Sequence, residues 1–283
     1  MRCWINGVEK AHIDATDRGL QYGDGLFETL AAFDGQCPWF EVHYQRLSTG
    51  CDRLAIPLPD KAVLLREVEQ AAAGQHRAVI KIILTAGSGG RGYARSANLQ
   101  ANRIVLCHAW PDHAEACWQQ GVELKLCQTR LGCNPALAGI KHLNRLEQVL
   151  ARNEWQTREM AEGLICDMQG NVIEGTMSNV FVVREQALYT PELARCGVAG
   201  VMRRWVLEKA PQLGVKVHET TLRVEDLQHA DELMLTNSLI GLWPVEMFES
   251  RHYQPGPVYQ ALLKCLLTEY PLINSQTMNR FNA

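Results

Sequence analysis

The 283-residue chain has no long basic block, and its formal net charge of -3 argues against a nucleic-acid-binding surface. No apolar run is long enough to cross a bilayer: the stretch at 78–86 falls well short of the ~20 residues a spanning helix needs, so no membrane association is expected. The opening Met1-Arg2-Cys3-Trp4-Ile5-Asn6-Gly7 reaches a turn too soon for a signal peptide, which points to the cytoplasm. The ten cysteines show neither CxxC nor metal-ligand spacing, so no metal centre is expected. Free thiols in a reducing compartment fit this usage, with Cys107 and Cys166 as small core residues. There is no internal repeat and no low-complexity tract.

What is present is the composition of a soluble globular protein, 47% apolar and 21% charged. The length suits two domains. Asn6-Gly7 signals a first hairpin and Asp34-Gly35 a second, with strands over 27–33 and 36–40. Periodicity predicts helices over 41–55 and 61–73, then strands over 78–86 and 103–110. These make a smaller α+β domain, residues 1–115. Residues 111–121 read as an interdomain crossing or a peripheral segment, and 122–273 as a larger domain. There a strand covers 122–129. Asn144 and Glu147 form a capping-box pattern opening a helix over 145–158, where Glu154 and Arg158 can pair. Strands over 163–167, 172–175, 179–183 and 232–236 and a helix over 201–209 follow. Residues 274–283 read as a loose tail.

Gly87-Ser88-Gly89-Gly90-Arg91-Gly92 satisfies G-x-G-x-x-G, but no helix opens after it, so a nucleotide fingerprint is discounted. A long glycine-rich hairpin loop is the plain reading. Alternatively the loop carries Arg91 and Tyr93 over a site, where Arg91 could meet a carboxylate.

Two residues stand out chemically. Lys141 could form a Schiff base, and Glu174, on the apolar stretch Val172-Ile173-Glu174, could hold a pyridinium nitrogen. A surface lysine and an alternating surface acid remain open for them. Gly200-Val201-Met202 opens a helix and could bind a phosphate through backbone N–H groups. Thr236-Asn237-Ser238 offers further donors, and Arg46 could be an anion ligand or a solvated helix arginine.

The chain resembles the fold type IV pyridoxal phosphate enzymes. The resemblance lies in Asp17-Arg18-Gly19-Leu20-Gln21-Tyr22-Gly23-Asp24-Gly25-Leu26-Phe27-Glu28-Thr29, His43-x-x-Arg46, Glu174-Gly175-Thr176 with Ser178-Asn179, and Gly197 through Arg203. Within that group, Gly87 through Tyr93 and Arg130 through Leu150 are similar to the aminodeoxychorismate lyases, with D-amino acid and branched-chain aminotransferases as the alternative. The resemblance implies a small α+β domain plus a larger β-rich, barrel-like α+β domain. It also implies pyridoxal 5'-phosphate as cofactor, a small-molecule substrate feeding folate synthesis, and a homodimer. Lys141 would be the Schiff-base lysine and Glu174 the ring-nitrogen partner. Arg46, the backbone of Val201 and Met202, and Asn237 with Ser238 would hold the phosphate. Relatives often carry a hydroxyl residue where Met202 stands, so only its backbone could serve. Arg91, Tyr93 and Thr29 are candidate substrate neighbours.

Overall fold

A computed structural model describes residues 2–98, 100–157 and 160–270. The expected tail and the expected Glu154–Arg158 pair lie outside the described residues. The chain divides into two compact units, Met1–Pro111 with Ile140–Asn144, and Asp112–Gly139 with Arg145–Ala283.

The first unit runs β1 (Arg2–Ile5), β2 (Val8–Glu9), α1 (Arg18–Tyr22), β3 (Gly25–Phe33), α2 (Phe40–Leu54), α3 (Lys61–Ala72), β4 (Arg77–Thr85) and β5 (Asn102–Ala109). Its strands form an antiparallel sheet in the order β2-β1-β5-β4-β3. The first hairpin forms as expected, with Asn6 and Gly7 both at positive φ. The second does not: beyond Asp34 and Gly35 only Gln36 bridges back to Phe33. Pro38 has no N–H to donate to a ladder, and Phe40 already opens α2. Alternation along β3 buries Leu26, Glu28, Leu30 and Ala32 on the side of α2, which contributes Leu47 and Cys51. Phe27 and Thr29, with their β4 partners Ile83 and Lys81, form the opposite, half-buried face.

The second unit runs α4 (Ala116–Gln119), β6 (Val122–Leu131), α5 (Leu146–Arg152), β7 (Met160–Asp167), β8 (Val172–Gly175), β9 (Asn179–Arg184), β10 (Ala187–Pro191), α6 (Val201–Lys209), β11 (Val217–Thr220), α7 (Val224–Gln228), β12 (Glu232–Asn237), β13 (Gly241–Phe248), β14 (Arg251–His252) and α8 (Pro257–Glu269). The strand order is β11-β10-β9-β12-β13-β6-β7-β8, with β14 beside β13. Three residues, Thr176, Met177 and Ser178, join β8 to β9. That link spans about 15 Å at most, whereas five strand spacings in a flat sheet cover about 24 Å. The sheet therefore curls into a half-barrel, the fold type IV form. Leu124, Leu164, Val180, Val182, Leu233, Leu235, Trp243 and Phe248 fill its core.

Three expectations need correction. The helix expected over 145–158 is only α5. The Asn144–Glu147 capping box is absent, because Asn144 donates to Gly23 O (3.1 Å) and Glu147 accepts from Gly132 N (2.8 Å). Glu154 lies beyond the helix and accepts from the Gln128 and Thr129 amides of β6. Residues 112–121 pack on the second unit, where the Trp118 indole donates to Ile240 O and its ring meets Trp243 edge-on. Finally, Ile140–Asn144 leaves the span expected for the larger domain and joins the first unit. The Phe27 amide donates to Lys141 O (2.9 Å) and the Leu143 amide to Gly25 O (3.0 Å), so this segment pairs along the free edge of β3.

Candidate active site

In the first unit the site is built on β3. Gly23 closes α1 at φ 64, and a Cβ there would strike the Asn144 side chain. A Cβ on Gly25 would strike Leu84 O and lie 2.7 Å from Leu143 Cδ1. These glycines let the 140–144 segment approach. Its edge pairing fixes the Lys141 backbone, and Nζ lies 4.3 Å from the centroid of the Phe27 ring. Lys81 Nζ lies 5.2 Å from the same centroid. Two ammonium groups and the half-buried Thr29 thus share one face of this sheet.

Arg46 lies on the α2 side of β3. Its Nε donates to Glu28 Oε1 (2.8 Å) and its Nη2 to Glu28 Oε2 (2.5 Å). His43 Nδ1 is 2.6 Å from Glu28 Oε2. Burial alone would push the Glu28 carboxyl up, but the Arg46 charge and the hydrogen bonds from Arg46 and His43 outweigh it and hold it at about 2. Burial pushes the His43 imidazole below its ordinary value, only partly offset by Glu28, and the charges of Arg46 and Lys141 add to the fall. A neutral His43 donates from Nδ1. Its buried Nε2 has no partner among the described residues.

Asp17, Arg18 and Asp24 tie down the glycine-rich loop. Asp17 caps α1 through Gly19 N and accepts from Thr85 and Asn102 at the ends of β4 and β5. Arg18 pairs with Asp24 and donates to Gly92 O and Tyr93 O. Arg95 pairs with the same aspartate. Tyr93 is 87% exposed, its ring against Tyr22. Arg91 is exposed and makes no ion pair among the described residues.

In the second unit the candidates gather around the β8–β9 turn. Glu174 is buried at the end of β8. Its Oε2 accepts from Val198 N (2.8 Å) and its Oε1 from the Gln148 amide (3.2 Å). Burial pushes the nearby Arg145 guanidinium down, against the opposing charge of Glu174. Asn179 links Glu174's neighbourhood to α6, accepting from Gly200 N (3.1 Å) and donating to Val198 O (2.8 Å). Helix α6 has no side-chain cap. Val201 and Met202 thus present first-turn N–H groups with no intrahelical carbonyl to bond. The Met202 side chain is buried, which leaves only its backbone as a donor. Asn237 spends its Oδ1 on the amides of Leu239 and Ile240 and its Nδ2 on Met177 O. Its side chain therefore shapes the turn that displays Ser238. Beside it the buried Thr236 hydroxyl has no partner among the described residues.

Sequence reasoning gave no site role to Glu28, His43, Gln148 or Glu162. Glu162 is 1% exposed and accepts from the amides of Gly163, Thr176 and Met177 and the hydroxyls of Thr176 and Ser178. The signal for Glu28 was readable: a carboxylate on the apolar side of a strand needs a partner, and His43 and Arg46 share one helix face.

The donor set fits a phosphorylated pyridine cofactor. The first unit carries a lysine amine set over an aromatic ring; the second carries a buried carboxylate accepting from N–H donors, an uncapped helix start and a buried hydroxyl with no partner among the described residues.

A family model described as amino-transferase class IV matches residues 25–248. An aminodeoxychorismate lyase of Vibrio harveyi is 40% identical over 242 residues, covering 86% of this chain and 89% of that one. The crystal structure of 4-amino-4-deoxychorismate lyase from Pseudomonas aeruginosa matches at a TM-score of 0.91 and 44% identity, covering 94% of this chain and 98% of that one. A branched-chain amino acid aminotransferase structure from Escherichia coli shares the fold at a TM-score of 0.82 and 22% identity, covering 99% and 97%. The chain belongs to the class IV aminotransferase family.

Proposed function

We propose that this protein is a pyridoxal 5'-phosphate-dependent lyase that converts 4-amino-4-deoxychorismate to 4-aminobenzoate and pyruvate. The observation that carries the reading is the similarity over most of the chain to aminodeoxychorismate lyases, 40% and 44% identical, with Lys141 and Glu174 both present in settings that suit their roles.

Bound pyridoxal phosphate supplies an electron sink for a carbanion beside the substrate amine. Lys141 would carry the cofactor and, with its amine free, would be the base that takes hydrogen from C4 of the substrate. Loss of the enolpyruvyl group from C3 then leaves an aromatic ring, which drives the step, and the released enol becomes pyruvate. Glu174, whose carboxyl accepts from the Val198 amide and Gln148, would meet the ring nitrogen and keep it protonated. Arg46, the Val201 and Met202 amides, and the Asn237–Ser238 turn would hold the phosphate. Arg91, Tyr93 and Thr29 are the substrate-side residues.

We further infer a homodimer in the cytoplasm whose product feeds folate synthesis. Leu146, Val149 and Leu150 form an exposed apolar stripe on α5, the kind of surface a second copy covers. Ten free cysteines suit a reducing compartment. No described helix is long and apolar enough to cross a membrane.

An aminotransferase shares every step up to the carbanion, so the test compares substrates. Holoenzyme is given 4-amino-4-deoxychorismate, and separately amino acid and keto acid pairs. Pyruvate from the first supports the lyase. Turnover of the pairs alone makes the protein an aminotransferase.

A further inference from the structure

Glu28 is a fully buried carboxylate that the reaction does not use directly. It grips the side edge of the Arg46 guanidinium, Nε to Oε1 and Nη2 to Oε2, with near-parallel donors. Its second oxygen also meets His43 Nδ1. The Arg46 side chain is 13% exposed and that of Glu28 2%. Almost no water is therefore present to compete for either group, and a flexible arginine is held in one plane.

Three features point to orientation rather than plain charge balance. The pair is bidentate, so it fixes the guanidinium plane as well as its position. The carboxylate is itself held by His43 from the same helix, one turn before Arg46. And Glu28 is next to Phe27, whose amide is bonded to Lys141 O and whose ring carries Lys141 Nζ. One strand thus sets both the lysine and the arginine, through residues on opposite faces.

We propose that Glu28 is a positioning residue that aims Arg46 at the cofactor phosphate, with His43 holding Glu28 in turn. This rests on the reading of Arg46 as a phosphate ligand. The two ideas make different predictions about charge. A simple charge balance would mean that Glu28 weakens anion binding, and its removal would strengthen it. An orienting Glu28 means that its removal weakens binding, because the freed guanidinium loses its direction.

The test measures equilibrium binding of pyridoxal 5'-phosphate and of pyridoxal, which lacks the phosphate, to the apoprotein by dialysis. The readout is the preference for the phosphorylated form. A merely structural role lowers both affinities and leaves the preference unchanged. Glu28→Gln, close to isosteric, is expected to lower the preference on the order of tenfold, as removing the hydrogen-bond partner of a metal-binding side chain does. The fall should vanish on an Arg46→Met background, since the two act as one unit. Should Glu28→Gln fail to fold, His43→Gln carries the test, with an expected fall of roughly threefold, smaller because the arginine pair survives. An unchanged or increased preference in the Glu28 or His43 variant, with Arg46→Met lowering it, overturns the proposal and leaves the phosphate role of Arg46 standing. An unchanged preference in Arg46→Met overturns that role, and the proposal with it.

Discussion

Glu162 gives a sharp test of how the site is held. Its carboxylate is 1% exposed, and its donors come from every residue of the Thr176–Ser178 turn plus Gly163. Replacing it with glutamine keeps the volume but turns one oxygen into a donor. The best orientation leaves the amide oxygen toward Gly163 and Thr176, which supply three of the hydrogen bonds. The NH2 group then faces Met177 N and Ser178 Oγ. The hydroxyl can rotate to accept, but the Met177 amide cannot. One part-buried N–H loses its acceptor, costing about 1–3 kcal/mol, and the remaining bonds lose their charge assistance, about 1 kcal/mol more. The expected loss is about 2–4 kcal/mol. For a unit of this size it appears as a fall of roughly 5–12 °C in Tm. Thermal and urea unfolding of wild type and Glu162→Gln measure it. A change within about 0.5 kcal/mol, the scale of ordinary surface substitutions, would refute the view that this carboxylate organises the turn.

Three other outcomes are expected. Gly25→Ala drives a Cβ into Leu84 O and Leu143, so it should cost about 1–3 kcal/mol and lower the yield of cofactor fixed to Lys141 by borohydride; wild-type yield would contradict the edge pairing. Glu28, held at about 2 against an ordinary 4.5, contributes on the order of 3 kcal/mol. That stability is fully present above about pH 4.5 and is lost as pH falls toward 2, so unfolding measured between pH 7 and 3 should lose less stability in Glu28→Gln than in wild type. Arg18→Leu releases Gly92 O, Tyr93 O and Asp24, and trypsin should then cut after Arg91 at least about tenfold faster, read by mass spectrometry.

Much of the fold was legible because local signals were strong. The Asn6-Gly7 turn, the periodicity of α2, the helix expected over 201–209 and the β-branched run of β4 each match the structure within a residue or so. What escaped depends on distant partners. Asn144 and Glu147 have capping-box spacing, yet Gly23 O and Gly132 N claim their side chains. Glu154 looks like a helix-face residue but serves the amides of β6. Asn237 was expected at the phosphate, and its side chain is occupied by its own turn. The Asp17–Asp24 motif was readable as a family mark, but its physical task, pinning the 87–101 loop through Arg18 and Arg95, appears only in three dimensions.

The central claim is that Lys141 turns over aminodeoxychorismate with loss of pyruvate. The most direct measurement gives 4-amino-4-deoxychorismate to wild-type holoenzyme and to Lys141→Ala and quantifies both products. The account predicts 4-aminobenzoate and pyruvate in equal amounts from wild type and neither from the variant. Equal turnover by the variant, or wild-type protein that moves the amino group to a keto acid while releasing no pyruvate, would contradict it.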